Sequence, residues 1–107
     1  MSSNIIELID QTVKNNQIVL YMKGSKEFPQ CGFSATVVQI LNNLGVNFLD
    51  IDVLRNNDIR QAIKEYADWP TIPQLYISGE FIGGCDIIKE MFSSGELESL
   101  LKSKNLI

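Results

Sequence analysis

The chain contains no histidine. That absence removes much chemistry at once. No Ser-His-Asp triad, Cys-His pair or imidazole metal site can be assembled from it. Cysteine is nearly as scarce, with only Cys31 and Cys85. Two cysteines in 107 residues do not make a secreted disulfide scaffold and point to a reduced, intracellular protein. Basic residues are outnumbered, nine Lys and Arg against 13 Asp and Glu, for a net charge of −4. This balance argues against nucleic acid as a partner, because a nucleic-acid surface needs clustered cations. No apolar run approaches the roughly 20 residues that span a bilayer, so no membrane association is expected. The opening residues, Met1 to Glu7, carry no basic stretch and no Arg, so no signal peptide is expected and the stretch is unlike a transit peptide. The expected compartment is a reducing intracellular one, or an organelle if a transit segment has been removed.

What is present is enough apolar material for one core. The apolar fraction is 45%, and the length suits a single domain over residues 1–107. Two hydrophobic periods alternate along it. Ile5, Ile6, Leu8, Ile9 and Val13 recur at helical spacing behind Ser3-Asn4, a cap-forming pair. Ile18 to Met22 is a short apolar run that reads as a buried strand. Gly24 to Gln30 is a loop containing Pro29. Val37, Val38, Ile40, Leu41 and Leu44 form a second helical face, and Gly45 stands where a C-terminal cap belongs. Val46 to Val53 reads as a second strand and Asp58 to Tyr66 as a short helix.

Trp69-Pro70-Thr71-Ile72-Pro73 is excluded from helix interior by its prolines. Leu75 to Ile77 and Phe81-Ile82 flank Ser78-Gly79-Glu80, the pattern of a hairpin. Gly83-Gly84 ends that strand. Helices then follow on Ile87, Ile88 and Met91, and on Leu97, Leu100 and Leu101. The order α-β-α-β-α-β-β-α-α predicts an α/β domain of thioredoxin-like fold. It has a four-stranded mixed sheet flanked by helices on both faces.

Cys31 is the first chemical candidate. It stands at the start of a predicted helix, where unpaired N–H groups and the helix dipole favour thiolate over thiol. Lys23 is near in sequence and adds positive charge. The competing reading is a buried structural cysteine. Ser34 occupies the position where a two-Cys redox motif would carry its second thiol, so Cys31 must await an external thiol to resolve a mixed disulfide, unless Cys85, the one internal alternative, can reach it. Glu27 is close enough in sequence to offset part of the Lys23 effect.

Thr71-Ile72-Pro73 is the second candidate. A cis proline there would turn the backbone of Ile72 outward to pair with an extended peptide. An ordinary trans proline opening a strand is the alternative. Gly83-Gly84-Cys85-Asp86 is the third. Asp86 is either an N-cap or a ligand for an α-amino group, and Cys85 either packs or reacts. Lys23, Lys26, Arg60 and Lys64 are cations available to a small anion, or simply solvated surface charge.

Lys23-Gly24-Ser25, Cys31-Gly32-Phe33-Ser34, Trp69 to Gln74 and Gly83 to Asp86, in this order and spacing, resemble the monothiol glutaredoxins. The likeness covers nearly the whole chain and fits the short single-domain form. It implies a glutathione site in which Lys23 and Arg60 hold the glycine carboxylate. Ile72 pairs by backbone with the cysteine residue of glutathione, and Cys85 and Asp86 hold the γ-glutamyl end. Lys64 has no clear counterpart and is left out.

The resemblance also implies a [2Fe-2S] cluster shared by a homodimer. Such a cluster takes four ligands, usually thiolates. Two Cys31 thiolates and two glutathione thiolates supply them. The implied function is a cluster carrier for iron–sulfur acceptor proteins. A BolA-like partner would lend the His this chain lacks. The alternative is a glutathione-dependent thiol–disulfide oxidoreductase that removes glutathione from proteins through Cys31.

Overall fold

The computed structural model describes residues 3–107. Helix α1 spans Ser3–Asn15. The expected cap pair Ser3-Asn4 therefore falls within the helix, and the cap itself lies outside the described residues. Strand β1 (Ile18–Met22) is buried at every position. A strand covered on both faces reads as one apolar run rather than an alternation.

The two faces separate cleanly. Ile18, Leu20 and Met22 join a core with Val37, Val38 and Leu41 of α2 (Gly32–Asn43), Ile88 of α4 (Cys85–Ser94) and Leu97 and Leu101 of α5 (Glu96–Ser103). Val19 and Tyr21 join a second core with Ile9 and Val13 of α1 and Ala62 and Ile63 of α3 (Asn57–Ala67). The sheet is thus a partition with helices on each side, as expected. Its strands β2 (Leu49–Asp52), β1, β3 (Gln74–Ile77) and β4 (Glu80–Gly83) lie in the order β2-β1-β3-β4. The β1–β2 pair is parallel and the other two pairs are antiparallel.

Strand β2 is shorter than the expected Val46 to Val53, because caps take both of its ends. Gly45, at φ +74°, closes α2. The N–H of Val46 then donates back to the Leu41 carbonyl and that of Gly45 to Asn42, a Schellman closure. At the other end Val53–Arg55 form a 3-10 turn, with the Asp52 carboxylate accepting from the Leu54 N–H. The β3–β4 hairpin closes as expected, with Ser78 and Gly79 both at positive φ, the geometry that matches strand twist. Among the described residues no helix is long and apolar enough to cross a membrane.

Candidate functional site

Because β3 runs against β1 and β4, the end of β1, the start of β3 and the end of β4 meet at one edge of the sheet. Lys23, Ile72, Pro73 and Gly83 to Asp86 lie at that end of the sheet or close to it. Cys31 is the N-cap of α2, extended at φ −150° and ψ 135°, and its side chain caps nothing. Its thiol is half-exposed. The helix start holds that thiol below its ordinary pKa. The backbone amide of Ser34 contributes most, and partial burial opposes it. The amide of Phe33, the charge of Lys23 and the Ser34 hydroxyl add to the lowering. Glu27, the expected counterweight, is not among these causes.

Ser34 is fully buried, and its Oγ accepts from the Lys23 N–H at 3.1 Å. Where a two-Cys protein would place its second thiol, this chain places a hydrogen-bonding bracket. One residue thereby fixes both the thiolate and the backbone of the nearest cation.

A groove of about 380 Å³ opens beside this thiol, a size suited to a small ligand. Cys31 is not among the lining residues, but Lys23 and Phe33, which act on its thiol, are, and so is Cys85, on which the charge of Cys31 acts. The strand order sets the lateral arrangement. Lys23, after β1, stands on one side. Gly84, Cys85 and Asp86, after β4, stand on the other, and Thr71, Ile72 and Pro73 lie between. The Ile72–Pro73 bond is cis, and Ile72 precedes the ladder, whose β1–β3 pairing ends at Tyr21 and Gln74. Arg60 and Lys64 of α3 bring two further cations to the lining.

Cys85 settles on the packing side of its two readings. It is buried, joins the α2–α4 core, and burial, with the neighbouring Asp86 charge, raises its pKa. Asp86 is not the N-cap of α4; Gly84 is, and Asp86 is the second helical residue. Its carboxylate lines the groove beside the positive end of that helix.

The two thiols should therefore differ sharply in reactivity. Iodoacetamide at pH 7 is expected to label Cys31 and spare Cys85 in the folded chain, with both labelled after denaturation. The Cys31 rate should rise with pH and level off below the ordinary thiol range, because thiolate is the reacting form. Equal labelling of the two, read by peptide mass, would remove this assignment.

Lys23, Arg60, Ile72, Cys85 and Asp86 are all brought to the groove. Lys26 is not. Its ammonium donates to the Phe48 carbonyl at 2.8 Å and lies over the Phe48 ring, 4.8 Å from its centre. Lys64, left aside at first, does line the groove, as do Phe33, Trp69 and Thr71. The signal for Lys64 was available, since it follows Arg60 by four residues and shares its helix face. Trp69 is marked only as the first residue of the Trp69 to Gln74 motif, with no role attached.

Comparisons with known proteins agree with this geometry. Residues 18–82 match the family model described as Glutaredoxin. Over 104 residues, 97% of this chain and 94% of the relative, the chain is 54% identical to the probable monothiol glutaredoxin 2 of Rickettsia typhi. The solution structure of reduced poplar apo GrxS14 is 52% identical, with a TM-score of 0.80 over 91% of this chain and 89% of that one. A truncated monomeric mutant of Trypanosoma brucei 1-C-Grx1 is 39% identical, with a TM-score of 0.88 over 95% and 93%. With a buried serine standing in for the second thiol, and relatives so named matching nearly end to end, the chain belongs to the monothiol glutaredoxin family.

Proposed function

We propose that this protein binds glutathione in the groove beside Cys31 and carries a [2Fe-2S] cluster as cargo, shared with a second copy. The arrangement of the groove carries the glutathione reading. Cations from Lys23, Arg60 and Lys64 suit the glycine carboxylate. The backbone at Ile72, beside the cis bond to Pro73 and ahead of the strand ladder, suits pairing with an extended peptide backbone, while the Ile72 side chain is buried in the core. Asp86 and the first amides of α4 suit the α-amino and α-carboxylate groups of the γ-glutamyl end. A peptide so laid passes its sulfur close to Cys31.

The cluster reading rests on ligand counting. Among the described residues no group of three or more His, Cys, Asp or Glu is placed to hold a metal. One chain offers one accessible thiol favoured as thiolate, Cys31. Two chains and two glutathiones, the set that the family resemblance implies, would complete a four-ligand cluster. A cluster held partly by non-covalent ligands leaves readily, which suits delivery to acceptor proteins. A BolA-like partner in place of the second copy would add His to the donor set. The scarcity of cysteine suits a reducing compartment, the bacterial cytoplasm or the mitochondrial matrix.

The thiol also supports the second reading, removal of glutathione from proteins. The Cys31 thiolate attacks the glutathione sulfur of a protein–glutathione disulfide, and the protein thiolate leaves. A second glutathione thiolate then attacks the Cys31–glutathione disulfide, releasing oxidised glutathione and restoring Cys31. Ser34 cannot shorten that second step.

Anaerobic reconstitution with iron and sulfide, with and without glutathione, separates the readings by absorbance and sizing. A coloured dimer that forms only with glutathione is the expected result. A cluster on a monomer, or one formed without glutathione, would overturn shared ligation. A colourless monomer that still turns over a glutathionylated protein would leave the oxidoreductase.

A further inference from the structure

The loop between β1 and Cys31 is fastened from outside by the edge strand β2. Asp50 and Asp52 alternate with Ile51 along that strand, opposite Leu20 and Met22 of β1. Both carboxylates reach over to the loop and accept from its backbone. The Gly24 N–H donates to Asp52 Oδ1 at 2.9 Å, and the Lys26 N–H donates to Asp50 Oδ2 at 2.8 Å. The same Asp52 oxygen accepts the Leu54 N–H at 2.9 Å, so one atom ties the loop to the turn after β2. Arg55 adds only a longer, exposed contact of 3.6 Å to the other oxygen.

These bonds bracket Lys23. Its N–H is held by Ser34 Oγ at 3.1 Å, its carbonyl accepts from the Gln30 N–H at 2.9 Å, and the next residue is held by Asp52. We propose that Asp52, seconded by Asp50, is a positioning residue for the groove, acting through Lys23. It fastens the loop amides and thereby sets where the Lys23 ammonium stands against the ligand. This rests on the glutathione reading above.

The sign of the effect separates positioning from charge. Asp52 carries negative charge near a site for an anion, so its removal should by electrostatics alone tighten binding. Positioning predicts the opposite for a variant that cannot accept the amides. Titration with reduced glutathione should show Asp52→Ala weakened about fivefold, the scale of one ordinary hydrogen bond, because the effect reaches the ligand only through Lys23. Asp52→Asn keeps an oxygen acceptor without the charge and should bind within about twofold of the parent. In a Lys23→Ala background, Asp52→Ala should change affinity by less than about twofold, because the two act through one contact.

Asp52→Ala binding as well as the parent, or losing as much in the Lys23→Ala background as alone, would overturn the proposal. The second pattern would also follow from a general loss of structure. Amide exchange of Gly24 and Lys26 in the ligand-free variants gives an independent reading. Faster exchange of Gly24 in Asp52→Ala, restored in Asp52→Asn, supports the anchoring, and unchanged protection overturns it. A parent chain that bound no glutathione would overturn the functional reading alone, and the exchange data would still decide the anchoring.

Discussion

Cys31→Ser is expected to abolish the chemistry and leave the fold intact or slightly firmer. The loss follows from the ligand. A serine hydroxyl is not ionised at neutral pH, so it offers neither a soft ligand to iron nor a nucleophile to a disulfide. Reconstitution should give a colourless protein, and turnover of a glutathionylated substrate should fall to background. The stability argument runs the other way. Cys31 is the N-cap of α2, and its sulfur makes no close capping hydrogen bond, although the Ser34 and Phe33 amides face it and favour its charge. Serine is among the favoured capping residues, worth about 0.5–2 kcal/mol over a residue that does not cap. A thermal melt should show Tm unchanged or raised. Chemistry lost together with a lowered Tm would mean that the approach of the sulfur to the Ser34 and Phe33 amides holds the helix start better than a serine cap does.

Gly24→Ala should cost both stability and binding, and more of each than Gly45→Ala. Both glycines have positive φ, +88° and +74°. Each substitution therefore carries the backbone cost of about 1 kcal/mol. They differ in what a methyl would meet. At Gly45 nothing lies within 4 Å. At Gly24 the new carbon would stand 2.5 Å from the Phe28 carbonyl oxygen and 2.6 Å from the Gln30 nitrogen, both backbone atoms. The loop that leads to Cys31 must then open, breaking the Gly24–Pro29 bridge. The total for Gly24→Ala is about 2–3 kcal/mol, a drop in Tm of roughly 10 °C or more for a domain of this size. Glutathione affinity should fall with it, because Lys23 is displaced, whereas Gly45→Ala should bind as the parent does. Equal melting points for the two variants would show that the loop accommodates the methyl.

Much of this was legible because it was local. The apolar run at Ile18 to Met22 and the helical spacing of Val37, Val38 and Leu41 each report burial by their own period. Ser78-Gly79 announced a hairpin, and Gly45 a helix end. Cys31 could be placed at a helix start because the periodicity begins just after it. The motifs from Lys23 to Asp86 could be matched to a family because their order and spacing are properties of the linear chain.

Strand β2 was overdrawn for a reason that lies outside any residue's preference. Val46 and Val53 are good strand formers, but one is drawn into the cap of α2 and the other into a turn held by Asp52. Hydrogen bonds compete for the same backbone, and propensity does not record which partner wins.

Composition and order alone excluded histidine chemistry, set the α/β plan with its two-sided sheet, and named Cys31 as the thiol. Folding in three dimensions had to choose the rest. It put Lys64 in the groove and Lys26 out of it, buried Cys85, made Asp86 a helical residue rather than a cap, and brought Asp50 and Asp52 to the loop. Each of these choices depends on which element lies beside which across the sheet. Contacts between residues far apart in sequence, such as Gly24 and Asp52, follow from packing and not from neighbours in the chain.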